Sequence, residues 1–250
     1  MQRTKLRLAQ CALALATALL CGCGPQGSAS SAVPDTRPVI LIGSDDYPPY
    51  NYEDFDGRRT GIDVDLATEA LSRMGYRAEF TLIDWEEKTQ LVDSGAIDCI
   101  WGSFSINGRE ADYHWSDPYM VSRQVVAVPE DSDITCLADL AGKRVAVQST
   151  TKPEGIFLAH TDPRIPAVGE VFSLQNREVM YPMLTKGYVD ALAAHETAIL
   201  QYMADYDLHY RILDEPLLTV GLGVAFSKND DRGLERQLSQ TFAEMRADGT

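Results

Sequence analysis

The chain has 250 residues, 45% of them hydrophobic, and a formal net charge of −15 at pH 7. The sequence contains no cluster of four or more basic residues, which a protein needs to bind nucleic-acid phosphates. A nucleic-acid partner is therefore not expected, and such an acidic chain stays soluble without a polyanion. The length suffices for one large domain or for two lobes.

Residues 1–22 have the plan of an export signal. Three basic residues precede the apolar run Cys11–Cys21, which contains no acid and is about half as long as a membrane-spanning helix. The sequence Leu-Cys-Gly-Cys that follows resembles a bacterial lipobox, which predicts cleavage before Cys23 and attachment of diacylglycerol to it. The mature protein is then expected at the cell envelope, anchored to a membrane. The alternative is an ordinary cleaved signal.

Residues 23–38 are rich in Gly, Ser, Ala and Pro, a composition typical of a flexible tether. The globular part is therefore expected to begin near Val39. Beyond the export region the cysteines are Cys99 and Cys136. Cys99 lies in an apolar run and is expected to be a small buried hydrophobe. The histidines are scattered, so neither a metal site nor a cofactor is expected.

Strands and helices are predicted to alternate along the first half of the chain. The predicted order is strand 39–43, helix 64–75, strand 76–82, helix 85–94 and strand 97–101. Such alternation is typical of a mostly parallel sheet covered by helices.

A short pattern occurs twice, as LVDSGAIDCIW at 91–101 and as LTKGYVDALAA at 184–194. Each copy runs from a helix end through a glycine, a spacer, a β-branched residue and an aspartate into an apolar strand. The repeat favours two similar α/β lobes, although chance recurrence stays open because many helix ends carry a glycine. The extended stretches 123–129 and 220–226 suit two crossover strands. We therefore predict a first lobe of residues 39–122 and 221–250 and a second lobe of residues 123–220.

Five motifs that span almost all of the mature chain support a family resemblance. They are SDDYPPY (44–50), GIDVDLATEAL (61–71), WSDPYMVSRQVVAV (115–128), DLAGKRVAVQSTT (139–151) and AEMRADGT (243–250). With these motifs the chain resembles the extracellular solute-binding proteins of the polar amino-acid type, family 3, which serve ABC importers. The resemblance implies a two-lobed type II periplasmic-binding-protein fold that closes on its ligand about two hinge strands. It also implies an ABC permease as partner.

In the first lobe, polar residues follow the strand that ends near Trp101. Ser103 and Ser105 lie beyond its carboxyl end, where ligands of open α/β sheets bind. Arg109 offers a planar fork that binds a carboxylate through two hydrogen bonds. By resemblance these residues match the family's binding serines and its carboxylate-binding arginine, although the segment between Ser105 and Arg109 is one residue short. The alternative is a solvent-exposed arginine with serines that form turns.

In the second lobe, Thr150 and Thr151 follow the predicted strand 144–148 and begin a helix. Free N–H groups at that end favour an anion, although a simple helix cap has the same sequence.

Tyr47 resembles the aromatic residue that covers the ligand side chain in this family. Asp45, on the same loop, is a candidate contact for a polar ligand group. Trp85 and Phe104 are candidates for the remaining wall. For Tyr47 the alternative is that it or Tyr50 packs this loop against the first lobe, and for Trp85 and Phe104 it is a place in the core.

His195 occupies the position at which the resemblance predicts an aspartate that pairs with the ligand ammonium. A neutral imidazole is a weak partner for a cation, so either Glu196 takes over or the ligand lacks a standard amine. The alternative for Glu196 is an acid at a helix start.

The predicted function is capture of a small amino acid or related carboxylate by closure, without catalysis. One alternative is a prephenate-type dehydratase on the same fold, in which His195 and Glu196 supply a general acid. Another is a ligand-sensing protein that acts through a separate receptor.

Overall fold

The structure is a computed structural model that describes residues 35–160 and 162–250. The predicted export signal, the lipid-attachment residue Cys23 and residues 23–34 of the predicted tether lie outside the described residues. Within the described part, no helix combines the length and the apolar character needed to cross a membrane. Residues 37–250 form one compact unit.

The strands of the described residues are β1 (Val39–Ser44), β2 (Tyr52–Glu53), β3 (Arg59–Thr60), β4 (Arg77–Leu82), β5 (Cys99–Ile100), β6 (His114–Trp115), β7 (Met120–Pro129), β8 (Arg144–Gln148), β9 (Glu170–Leu174), β10 (Ala191–His195), β11 (Tyr210–Ile212), β12 (Leu218–Leu222) and β13 (Ala225–Phe226). The α-helices are α1 (Ile62–Arg73), α2 (Lys88–Asp93), α3 (Lys152–Ala159), α4 (Met180–Thr185), α5 (Glu196–Tyr206) and α6 (Leu234–Asp248). Short 3-10 helices cover Trp85–Glu87, Leu137–Leu140 and Arg177–Val179.

The predicted elements are present, with different bounds at several ends. Helix α1 begins at Ile62, two residues earlier than predicted, and the chain leaves it through Gly75 at φ 83°. The predicted helix 85–94 is instead a 3-10 turn followed by α2. The predicted strand 97–101 is shorter, because only Cys99–Ile100 pair as β5.

The first sheet has the strand order β4-β1-β5-β13-β6. Strands β4 and β5 run parallel to β1, whereas β13 runs antiparallel to β5 and β6. Helices α1 and α6 cover one face and bury a cluster that includes Ile42, Leu71, Trp101 and Phe242. Cys99 is a buried free thiol of this cluster.

The second sheet repeats this plan. Strands β9 and β10 run parallel to β8, β7 runs antiparallel to β10, and β11 and β12 both pair with β7. Apolar clusters pack on the sheet, one around Val126 and Leu137 and the other around Val125 and Ile199. The two sheets with the same strand plan confirm the predicted two-lobed α/β fold.

Two antiparallel strands link the sheets. Strand β12 pairs with the first half of β7, from Leu218 opposite Gln124 to Leu222 opposite Met120. The chain then continues into β13, which belongs to the first sheet. The predicted crossover strand 220–226 is therefore two strands, β12 and β13. The lobe bounds stated above stay a prediction.

Candidate functional site

A narrow central hollow of about 40 Å³ lies where loops of the two sheets meet. From the first sheet and the hinge it is lined by Tyr47, Trp85, Gly102, Ser103, Phe104, Ser105, Arg109 and Gln124. From the second sheet it is lined by Gln148, Thr151, Lys152, Pro153, Arg177, Met180, Ala193, Ala194 and His195.

The loop that contains Ser103 and Ser105, called the serine loop below, begins directly after β5. Ser103 has a left-handed backbone, at φ 54°, and its N–H donates to Oδ2 of Asp63 at 2.8 Å. Asp63 is fully buried at the start of α1, and burial raises the pKa of its carboxyl to about 7. The hydroxyl of Ser103 has no protein partner within the described residues. Ser103 and Ser105 of this loop both line the hollow.

The part of the protein built around the first sheet is called the first half below, and the part built around the second sheet is called the second half. Arg109 extends from the first half toward the second. Its Nη2 donates to the backbone oxygen of Thr150 at 3.0 Å, and its Nη1 donates to the backbone oxygen of Ser105 at 3.3 Å. The guanidinium carbon lies 5.0 Å from the centre of the Phe104 ring. Burial lowers the pKa of Arg109. The guanidinium is thus a desolvated donor at the junction of the two halves.

The start of α3 contributes Thr151 and Lys152 from the second half. Thr151 is the N-cap residue, but its hydroxyl donates to the backbone oxygen of Gln148 at 2.5 Å rather than capping the helix. A side-chain carbon added to Gly108 would lie 3.0 Å from Nζ of Lys152, so this lysine reaches across to the loop that carries Arg109. Burial and the charge of Arg109 both lower the pKa of Lys152.

Lys88 is a buried cation that lies behind the hollow. The sequence analysis did not predict a role for this lysine. Its Nζ donates to the backbone oxygen of Trp85 and to the hydroxyl of Thr150, both at 2.8 Å. Burial first and the charge of Arg109 second lower the pKa of Lys88 to about 8. The lysine therefore links the two halves through Thr150 and adds positive charge to the site.

A buried ion pair joins the halves on another side of the hollow. Arg177, from the second half, donates to Oδ2 of Asp45, and Gln148 donates to the same oxygen at 3.1 Å. The guanidinium carbon of Arg177 lies 3.1 Å from the centre of the Tyr47 ring. Sequence reasoning missed Arg177, because a single arginine in a polar turn carries no signal of its own.

His195 is buried at the end of β10. Its Nδ1 lies 2.8 Å from the hydroxyl of Ser122, and its Nε2 lies 2.8 Å from Nε2 of Gln124. Burial, with the charge of Arg177 as the second cause, lowers the pKa of the imidazole to about 3. His195 is therefore neutral at physiological pH and is held by two hinge residues.

The structure brings most of the predicted site residues together, but not all of them. The lining includes Tyr47, Trp85, Ser103, Phe104, Ser105, Arg109, Thr151 and His195. Asp45 and Thr150 lie just behind it, bonded to Arg177 and to Lys88. Glu196 does not line the hollow, because its carboxylate pairs with Arg123 at 2.9 Å. Within 35–160 and 162–250, no group of three or more His, Cys, Asp or Glu side chains is arranged to hold a metal ion.

Comparison with known proteins gives consistent matches over the described fold. The family model described as bacterial extracellular solute-binding proteins, family 3, matches residues 39–250. The histidine-binding periplasmic protein of Salmonella typhimurium is 31% identical over 248 residues, which cover 95% of this chain and 93% of that protein.

Solved structures show the same fold. An ancestral arginine-binding protein bound to arginine superposes with a TM-score of 0.78 at 27% identity, over 86% of this chain and 95% of that one. The ancestral amino acid-binding protein AncCDT-1, described as a precursor of cyclohexadienyl dehydratase, superposes with a TM-score of 0.75 at 26% identity, over 85% of this chain and 91% of that one.

Proposed function

Because the chain belongs to the bacterial extracellular solute-binding proteins of family 3, we propose that it captures a small carboxylate-bearing, amino-acid-like solute and delivers it to an ABC importer. The relative from Salmonella typhimurium is named for histidine and the ancestral structure for arginine. Both names support an amino-acid-like ligand for this chain.

One observation carries the proposal: Arg109 of the first half and the start of α3 in the second half meet at one hollow. A carboxylate in this hollow has the guanidinium fork of Arg109 on one side and Thr151 with its helix start on the other. Charge-assisted hydrogen bonds to arginine are among the strongest available to a carboxylate. Ser103 and Ser105 are additional polar residues of the lining.

The contacts that join the two halves support a mechanism in which the protein closes on its ligand. Arg109 to Thr150, Lys88 to Thr150 and Arg177 to Asp45 are polar contacts between residues of different halves. Opening about the β7–β12 pair would break these contacts and expose the hollow to solvent. A ligand that binds both halves shifts the equilibrium toward the closed form, because it binds that form more tightly than the open one.

The chemistry of the lining supports capture over dehydration. A dehydratase needs a group that donates a proton to the leaving hydroxyl. His195 is neutral and already bonded at both ring nitrogens, and Glu196 is paired with Arg123 outside the lining. Incubation with prephenate, followed by absorbance, tests the alternative: product formation at a catalytic rate would favour the enzyme.

For the export region we propose a lipid anchor on Cys23, which places the protein at the cell envelope beside its permease. Metabolic labelling with a radioactive fatty acid tests this. We expect label on the wild-type chain and none on Cys23→Ser, whereas label on both would place the lipid elsewhere.

The capture function is tested by thermal shift with a panel of amino acids and of small dicarboxylates, followed by calorimetric titration of the ligands that stabilise the protein. We expect Arg109→Gln to weaken the affinity at least 100-fold, since it removes two charged donors. Arg58→Gln is the matched control, because Arg58 is exposed and its ion pairs are with Asp54 and Asp56. Equal affinities of the Arg109 variant and the wild type would overturn the proposed function.

A further inference from the structure

Arg177, a buried arginine of the second half, lies in surroundings that recognise a cation. Its Nη2 donates to Oδ2 of Asp45, and the same oxygen accepts from the amide of Gln148 at 3.1 Å. The guanidinium carbon lies 3.1 Å from the centre of the Tyr47 ring. A carboxylate and an aromatic face are two groups that bind a guanidinium well. The protein therefore binds its own guanidinium between Tyr47 and Asp45.

This internal guanidinium belongs to the central hollow. Tyr47 and Arg177 line the hollow together with Arg109 and Thr151. In the proposed function Arg109 and Thr151 bind the carboxylate of the ligand. The side chain of a bound amino acid then lies against the remaining lining, which includes Tyr47 and Arg177. The space between Tyr47 and Asp45 is thus a subsite for a cationic side chain, and Arg177 occupies it.

The room that Arg177 leaves is small. The hollow has a volume of about 40 Å³, which by the same measure holds roughly three water molecules. The ring of Tyr47 is already covered by the guanidinium, and the carboxylate of Asp45 is already paired. A second cation beside Arg177 would place two like charges close together in a buried site, which is unfavourable. A long cationic side chain therefore has neither space nor a partner there.

The internal ion pair leaves hydrogen-bonding groups unused. Oδ1 of Asp45 and Nε of Arg177 are buried and have no hydrogen-bond partner among residues 35–160 and 162–250. The pair is therefore not the two-bond fork that a guanidinium and a carboxylate commonly form. A guanidinium that belongs to a ligand is not tied to the short helix Arg177–Val179 and is free to make both bonds. The subsite is thus able to bind a cation from outside once Arg177 is removed.

We propose that Arg177 determines ligand specificity by filling the side-chain subsite in place of a cationic ligand side chain. This inference rests on the proposed function, since it concerns the same hollow. The wild-type protein selects amino acids with short, uncharged side chains, such as glycine, L-alanine and L-serine. Removal of the Arg177 side chain vacates the space between Tyr47 and Asp45. A basic amino acid then binds with its own cationic group in that space.

The first experiment ranks amino acids on the wild-type protein by calorimetric titration, so it needs no variant. The probes are glycine, L-alanine and L-serine on one side and L-histidine, L-lysine and L-arginine on the other. We expect at least one of the three small amino acids to bind at least tenfold more tightly than every basic one. The inference is overturned if a basic amino acid binds as tightly as the small ones, or if no small one binds.

Failure of the proposed function gives a different result. That function fails if no amino acid binds, or if Arg109→Gln leaves the affinity of the bound amino acid unchanged. If a basic amino acid binds most tightly and loses its affinity in Arg109→Gln, the proposed function stands and only the role of Arg177 is wrong.

The second experiment removes the internal guanidinium. We expect Arg177→Ala to bind L-arginine at least tenfold more tightly than the wild type does, and L-citrulline, which has a similar shape but no charge, to gain less than threefold. Arg164→Ala is the matched control, because Arg164 belongs to the same half, does not line the hollow and pairs with Asp162 and Glu215. It should change neither affinity more than twofold. No gain for L-arginine, or equal gains for both ligands, would overturn the inference.

A double variant tests whether Asp45 binds the incoming cation. Arg177→Ala leaves the buried carboxylate of Asp45 unpaired, which destabilises the protein. In the double variant Arg177→Ala with Asp45→Asn no charge of this pair remains, so the gain for L-arginine should disappear. Thermal melts with and without L-arginine make the same comparison, because a ligand that binds the folded form raises its melting temperature even when the free variant is destabilised. An equal gain in the single and the double variant would overturn the inference.

Discussion

The repeated pattern at 91–101 and 184–194 leads from a helix end through a glycine and an aspartate into a strand, and we call this segment the corner. It occurs in both sheets and can be compared residue by residue. In the first sheet Asp98, ahead of β5, accepts from the N–H of Leu41 at 2.8 Å. In the second sheet Asp190, ahead of β10, accepts from the N–H of Arg144, also at 2.8 Å. Each aspartate therefore fixes its own strand to the neighbouring parallel strand with a side-chain hydrogen bond.

The corners are alike, but the segments that follow their strands differ. After β5 the chain forms the serine loop, in which Ser103 is left-handed and the loop continues to Arg109. Strand β10 ends at His195, and the chain passes from there directly into α5. The comparison teaches that the repeat builds the scaffold twice, while the residues just beyond each strand determine the chemistry of the site.

A large effect on stability at neutral pH is expected from removing the corner aspartates, Asp98 and Asp190. Asp98→Ala and Asp190→Ala each leave a backbone N–H without its acceptor, so each should lower the free energy of unfolding by about 2 kcal/mol. Urea denaturation measures both. The exposed ion pairs of these aspartates with Arg232 and Arg144 contribute little. A difference of more than about 1 kcal/mol between the variants would show that the corners are not equivalent.

A second pair of buried groups differs in the sign of its pKa shift. Burial raises the pKa of Asp63 to about 7, so its stabilising contribution is lost as the pH rises from about 4 to about 7. Burial lowers the pKa of His195 to about 3, so its contribution is lost as the pH falls from about 6.5 toward 3. The two effects oppose each other between these limits.

Neutral variants separate these contributions. Relative to the wild type, Asp63→Asn should become more stable as the pH rises from 4.5 to 6.5, and His195→Gln should become more stable as it falls, each by up to about 1.4 kcal/mol per pH unit. Denaturant unfolding at three pH values gives both slopes. Slopes of the same sign would contradict this assignment.

The smallest effect is expected at the corner glycines. Gly95 and Gly187 have φ values of 73° and 70°, and no atom lies within 4 Å of an added side-chain carbon. Alanine at either position should cost about 1 kcal/mol, from backbone conformation alone. Gly155 in α3 is the control, since it has the same open surroundings and no positive φ. Its replacement by alanine should stabilise the protein by about 0.5 kcal/mol.

Sequence alone predicted the features that local patterns encode. The repeat predicted two similar lobes, and the resemblance of the five motifs to the family implied the type II fold and a binding role for the residues of the serine loop. The sequence analysis missed Lys88 and Arg177. Whether a basic side chain is buried at a site depends on which distant elements pack around it, and local patterns do not encode that. Glu196 was predicted near the ligand because it follows His195. In the structure it begins α5 and turns away to pair with Arg123.

The paired strands β7 and β12 have a consequence for how such proteins diversify. The chain enters and leaves the second sheet within one ladder, with Val121 opposite Gly221. The second half is thus attached at two adjacent points and can be exchanged as a cassette with that of a relative by recombination at two sites. Arg109 would stay behind while Lys152 and Arg177 were replaced, so the contributions of the two halves to the hollow can change independently of each other.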